Sequence, residues 1–245
     1  MLKKRIIIVL TFKDGILYRT KNFKPDYRYT KNFIDFWSID ELVLIDVSEK
    51  KFQKTFLDTI KFFSKNCFVP ISVGGGIKTL ENAELYFNYG ADKIILGYYS
   101  TINFNLIKDI TLKYGNQSVI QSIDYKKEKS EYISVGKSGS TKLEISPLNW
   151  AKQSLEYGVG EILLNSIDDD GSLLGYDIKF IKKLSGLLEC PVLVLGGCGN
   201  WSQILDLFNK THVSAACTQN IYHFTNESIS SAKNFLIKNS INVRK

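Results

Sequence analysis

Eight short runs of apolar, β-branched-rich sequence recur along the chain, at residues 5–10, 41–47, 69–73, 92–96, 118–123, 161–164, 192–195 and 213–217. No other feature narrows the fold so far. The runs are almost continuously apolar, as strands buried on both faces must be, whereas a strand with one wet face alternates. Between them lie segments with apolar residues at helical spacing, among them 80–89, 105–114, 147–157, 178–188 and 201–209. Pro147 and the acids near these starts suit helix N-termini. Eight strand–helix units in 245 residues predict an α/β fold, a (β/α)8 barrel forming a single domain over 1–245. A doubly wound sheet is the alternative.

The two halves of the sequence echo each other. Residues 41–47 (ELVLIDV) resemble 161–167 (EILLNSI), and 73–77 (VGGGI) resemble 195–199 (LGGCG), at nearly the same separation. This predicts a duplicated half-barrel. Neither a linker nor a low-complexity segment interrupts the pattern. Residues 20–30 (TKNFKPDYRYT) read as the longest loop after an early strand, on the side where barrel strands end.

Charge and cysteine content exclude several function classes. Lys and Arg number 32 against 25 Asp and Glu, a net charge of +7, but Arg occurs only at positions 5, 19, 28 and 244. Lysines dispersed among acids are unlike the clustered, Arg-rich surface of a nucleic-acid binder, so no nucleic-acid partner is expected. A small anionic substrate fits the charge equally well. Cys67, Cys190, Cys198 and Cys217 show no CxxC spacing, and the only histidines are His212 and His223. Neither a metal nor a cofactor is expected, and buried free thiols fit a reducing cytosol. The start MLKKRIIIVL is followed by polar TFKDG rather than a small-residue cleavage site, so it reads as a strand. No apolar run approaches the about 18–20 residues of a membrane span. A cytoplasmic protein without membrane contact is expected.

Barrel chemistry sits where the strands end. Gly74-Gly75-Gly76 follows the third apolar run and Gly196-Gly197-Cys198-Gly199 the seventh. Bare backbone N–H groups at such turns can wrap an anion, and the next helix adds its positive N-terminus. Tight strand–helix turns use glycine anyway, but two such turns at half-barrel spacing point to a ligand anionic at both ends. Candidate carboxylates at strand ends are Asp46, Asp124 and the Asp168-Asp169-Asp170 group. Asp124 is either a helix cap or an acid/base group.

The segments KRIIIVLTFKDG, SVGGGI, GADKIILG, SIDYKK, GVGEILLNSIDDDGSLLGYD, VLGGCG, IYHF and NVRK resemble, in order, the cyclase subunit of imidazole glycerol phosphate synthase. The resemblance covers nearly the whole chain. It implies a (β/α)8 barrel that takes ammonia from a class I glutaminase subunit, as a heterodimer, and closes an imidazole on a substrate with two phosphates. The family's two catalytic aspartates fall on Asp124 and on position 11, which here is Thr11. Gly75, Gly76, Gly196, Gly197, Asp46, Asp170 and Asn220 fall at ligand-binding positions. Val9 replaces a cysteine, Gly97-Tyr98 an Asn-Thr pair, and Leu195 and Asn220 serines. A threonine does not exchange protons near neutral pH without strong activation, so the mouth reads as rebuilt for another substrate.

The strand starts keep the family's charges. Arg5, Glu41, Lys93 and Glu161 match four residues that gate ammonia entry, and Asp92 matches one that faces the glutaminase. A structural plug of paired charges is the other reading, compatible with the first. These features resemble a paralogue group that accompanies a sugar amidotransferase and installs an acetamidino group on surface-glycan sugars. The expected function is thus the synthase-like subunit of a glutamine amidotransferase system. Its expected acceptor is a phosphorylated or nucleotide-sugar-type anion, amidinated as a surface-glycan sugar. The alternatives are a genuine histidine-pathway cyclase and a non-catalytic scaffold that activates the glutaminase.

Overall fold

The structure, a computed structural model, describes residues 3–29, 39–219 and 229–244. In chain order, β1 (Arg5–Lys13), β2 (Ile16–Lys21), β3 (Lys24–Tyr29) and β4 (Glu41–Asp46) precede α1 (Lys54–Asn66). Then come β5 (Ile71–Gly74), α2 (Leu80–Asn88), β6 (Lys93–Leu96), α3 (Tyr99–Ile102) and α4 (Asn105–Tyr114). β7 (Val119–Glu128), β8 (Glu131–Gly136), β9 (Thr141–Lys142) and α5 (Pro147–Glu156) follow. The chain continues through β10 (Glu161–Ser166), α6 (Ile178–Ser185), β11 (Val192–Leu195), α7 (Trp201–Lys210), β12 (Ala215–Thr218) and α8 (Ile229–Lys238).

Eight of the strands pair in parallel in the order β1-β4-β5-β6-β7-β10-β11-β12, and β12 returns to β1 to close the cylinder. This is the (β/α)8 barrel expected from the alternating pattern. The continuous apolar runs are explained by two buried faces. Ile7, Val9, Val43, Ile95, Ile120, Leu163, Leu193 and Cys217 fill the cylinder, while Ile6, Ile8, Leu10, Leu42 and Leu44 pack outward under the helices. Each fully buried Leu, Ile or Phe contributes about 1.5–3 kcal/mol of burial. The helices start on side-chain caps: Thr79 for α2, Ser146 followed by Pro147 for α5, and an Asn200–Gln203 capping box for α7.

Residues 20–30, expected as a loop, instead continue a β2–β3 ribbon as far as residue 29. The turn between β1 and β2 is Asp14-Gly15, with φ of 52° and 76°. Positive φ at both central residues matches the twist of a hairpin, so Asp-Gly between apolar runs was a hairpin signal. The fifth run also extends past 123, to Glu128, because its end pairs with β8 in a second antiparallel ribbon. Both ribbons rise from the end of the barrel where the glycine turns lie.

The other end is tied shut by the C-terminal helix. Lys233 of α8 pairs with buried Asp40 at 2.7 Å, and Asp40 accepts the Ile6 N–H at 2.7 Å. Among the described residues, no helix is long and apolar enough to cross a membrane. Cys67, Cys198 and Cys217 are buried free thiols and Cys190 is half-buried.

Candidate active site

At the barrel base, the strand starts place four charges in one closed square. Arg5 Nη1 donates to Glu41 Oε1 at 2.6 Å and to Glu161 Oε1 at 2.9 Å. Lys93 Nζ completes it, 3.2 Å from Glu41 Oε2 and 3.0 Å from Glu161 Oε2. Burial works against the Arg5 guanidinium, but Glu161 and Glu41 outweigh it and raise its pKa. Two cations and two anions cancel, which is the condition for holding charge inside a protein. The four residues named from sequence therefore do meet. Asp92, next to Lys93, is exposed on this face, and one of its oxygens accepts the Ile71 N–H at 2.8 Å.

Immediately inside the square stands Ser72, which pairs in register with Lys93. Its neighbours Ile71 and Val73 pack in the outer shell, so its side chain faces the barrel interior. The Ser72 hydroxyl is fully buried without a hydrogen-bond partner. Such an orphan group costs about 1–3 kcal/mol unless something transient satisfies it.

At the opposite end the barrel opens into a cavity of about 460 Å³. Asp124, at the end of the β7 barrel segment, lines it, and Thr11 of β1 lines the opposite wall. Asp124 Oδ1 accepts from Asn165 Nδ2 at 3.0 Å and from Ser122 Oγ at 3.2 Å. Surrounding protein pushes its carboxyl up to about 6, and the two donated hydrogen bonds only partly oppose this. That places a proton-exchanging group near neutrality. Thr11 is buried and presents a hydroxyl in the cavity wall.

The remaining carboxylates make hydrogen bonds within the scaffold, and Asp46 and Asp170 also line the cavity. Asp170 Oδ1 accepts from Thr20 Oγ1 at 3.0 Å and its Oδ2 from the Phe23 N–H at 2.9 Å, so both oxygens hold the β2–β3 ribbon over the mouth. Burial raises the Asp170 pKa. Asp168 accepts the Lys127 N–H, and Asp169 the Ser166 hydroxyl, each at 2.7 Å. Asp46 is buried in the cavity wall. Its Oδ1 accepts the Ser48 N–H at 2.9 Å, and its Oδ2 has no partner.

The two glycine turns differ. Gly75 and Gly76 line the cavity. Gly196 and Gly197 follow Leu195, which lines it, but they also lie under the β10–α6 loop. Gly197 has φ of 99°, and a Cβ there would stand 1.9 Å from the Gly175 carbonyl. Close backbone packing alone therefore demands glycine at 197. Asn220 lies outside the described residues.

Several mouth residues escaped the sequence reading. Lys51, Lys137 and Tyr99 line the cavity, and the Tyr99 ring packs at a tilt of 33° on that of Tyr98, already noted in the sequence, with centroids 4.2 Å apart. Gln121 holds their turn from behind: its amide donates to the Leu96 carbonyl at 3.0 Å and accepts from Ser100 Oγ at 2.7 Å. A lysine in a polar loop and a glutamine on a strand's outer face carry no pattern that marks them in advance. Among the described residues, no cluster of His, Cys, Asp and Glu is placed to hold a metal.

This two-ended arrangement has known relatives. The family described as "Histidine biosynthesis protein" matches residues 13–227. The chain belongs to that family. It is 37% identical over 250 aligned positions, covering all of both chains, to imidazole glycerol phosphate synthase subunit HisF of Chlorobaculum parvum. The corresponding subunit of Chlorobaculum tepidum is 36% identical over 250 positions, again covering both chains entirely. A putative imidazole glycerol phosphate synthase subunit hisF2 of Vibrio vulnificus is 33% identical over 251 positions, with all of this chain matched to 92% of that protein.

Proposed function

We propose that the chain is an ammonia-using synthase subunit of the imidazole glycerol phosphate synthase type. One observation carries this reading. A neutral four-charge square closes one end of the barrel, and a cavity holding a proton-exchanging carboxylate opens the other. Free ammonia is mostly ammonium at neutral pH, and a cation would not pass a buried interior without cost. A class I glutaminase docked at the base, near Asp92, supplies neutral ammonia through the Arg5–Glu41–Lys93–Glu161 square. Ser72 offers it a hydrogen-bonding stop. Asp124 then handles the proton when ammonia adds to an anionic substrate in the mouth.

The names of the relatives favour the imidazole-forming reaction. Losing one of two acid/base groups lowers a rate by about 10²–10⁴. With ammonium and the imidazole-pathway substrate, the purified chain is therefore expected to turn over slowly, and Asp124→Asn to abolish what remains. A wild-type rate equal to that of a two-carboxylate enzyme overturns the role given to Thr11. Thr11 favours a second reading, in which the acceptor is a surface-glycan sugar amidinated with a sugar amidotransferase. Absence of cyclised product, with ammonium-dependent modification of a nucleotide sugar, selects it. No ammonium-dependent product from either acceptor overturns the proposal.

A further inference from the structure

The first-half glycine turn is not bare. The stem of Lys51 lies across Gly76, where a Cβ would stand 2.4 Å from Lys51 Cγ. The Lys51 ammonium donates to the Asp46 carbonyl at 2.7 Å, which leaves its other two N–H donors for the cavity it lines. The charged groups that act on it are Asp46, Asp14 and Tyr99, and burial lowers its pKa. An anion can no longer sit flat on the Gly76 backbone. It meets an amine instead.

Other cations converge on the same spot. The Lys78 ammonium lies 4.3 Å from the centre of the Tyr99 ring. Lys137 lines the cavity and acts electrostatically on the Tyr99 hydroxyl. It stands in the turn between β8 and β9, where Lys137 and Ser138 both have positive φ, 49° and 55°. The tyrosine pair is fixed from behind by Gln121, and Tyr98 packs so closely on Gly136 that a Cβ there would meet its ring at 2.8 Å. Amines and a phenol at fixed positions make a preorganised anion site.

We propose that Lys51, with Lys137 and the Tyr99 hydroxyl, forms the first-half phosphoanion subsite of this mouth, with exposed Lys78 acting only from outside through the Tyr99 ring. The phosphoryl group is read by side-chain donors rather than by the glycine backbone. The Lys51 stem lifts it away from the turn, toward the rim and Tyr98. This inference rests on the reading of the cavity as the substrate site.

The test is calorimetric binding of inorganic pyrophosphate at low salt to wild type, Lys51→Met and Lys137→Met, with exposed Lys152→Met on α5 as a control for net charge. The expected result is at least tenfold weaker binding in Lys51→Met and a smaller loss in Lys137→Met, with Lys152→Met unchanged. The opposite sign is informative. If Lys51 only plugs the turn, removing its amine leaves binding unchanged or strengthens it, and the subsite proposal is overturned. An equal loss in Lys152→Met also overturns it, because the effect is then bulk charge. Failure of wild type to bind pyrophosphate overturns both this inference and the reading of the cavity as an anion site.

Discussion

Replacing Asp124 by Asn gives a stability change whose sign depends on pH. In the folded chain the carboxyl titrates near 6, against 3.8 for an unperturbed aspartate. The folded state thus holds this proton more tightly than the unfolded state. Linkage then requires stability to fall as pH rises from about 4 to about 6, with the full penalty present above that range. A shift of this size corresponds to about 3 kcal/mol if fully expressed, and the group's partial contact with cavity water reduces it to about 1–2 kcal/mol. Asparagine keeps the Oδ1 acceptor used by Asn165 and Ser122 and removes the charge. Asp124→Asn should therefore be as stable as wild type at pH 4 and more stable at pH 7.5. For a chain of this length the gain is a few degrees in Tm, about 2–4 °C per kcal/mol. Thermal melts of both proteins across this pH range are the assay. A stabilisation that is the same at both pH values, or absent at pH 7.5, refutes the assignment of Asp124 as a strained, proton-exchanging carboxyl.

Lys93→Met leaves Glu41 and Glu161 sharing Arg5, with Arg244 3.7 Å from Glu41 as the next cation. Breaking a buried pair costs about 3–5 kcal/mol, and the 15% exposure of Lys93 puts the loss at the low end. Glutamine-driven product should then fall further than ammonium-driven product, while equal loss of both, tracking the Tm, reduces the square to a structural plug. Gly197→Ala forces a Cβ against the Gly175 carbonyl at a φ of 99°. It should lower the Tm by several degrees at about 2 kcal/mol or more, and a Tm within one degree of wild type counts against close backbone packing as the reason for that glycine.

The barrel and its base were legible in the sequence because each depends on a pattern that cannot vary freely. A parallel strand covered on both faces must be apolar throughout, so runs such as 41–47 announce themselves. Arg5, Glu41, Lys93 and Glu161 read as a set through the family resemblance, and their two opposite pairs of charges cancel. The ribbons were missed for a physical reason. β2 and β3 lie over the mouth, where Lys21, Lys24 and other polar residues interrupt any alternation. Only the Asp14-Gly15 turn marked them. Asp170 falls at a ligand-binding position by the resemblance, and it does line the cavity. Its partners Thr20 and Phe23 lie far away in sequence, and only the fold shows that its oxygens hold the ribbon.

The same physics explains why the two ends of this barrel differ in how much they can change. At the base, each carboxylate bridges both cations, so replacing any one residue leaves a largely buried charge short of a partner. A change there requires several substitutions at once. At the mouth, Thr11 and Tyr98 line the cavity as uncharged side chains, so either can be exchanged singly without stranding a partner's charge. A barrel built this way resists single substitutions at its base more than at its mouth, so on the proposed function the ammonia side would be the conserved end and the amines and phenols of the rim would set the acceptor.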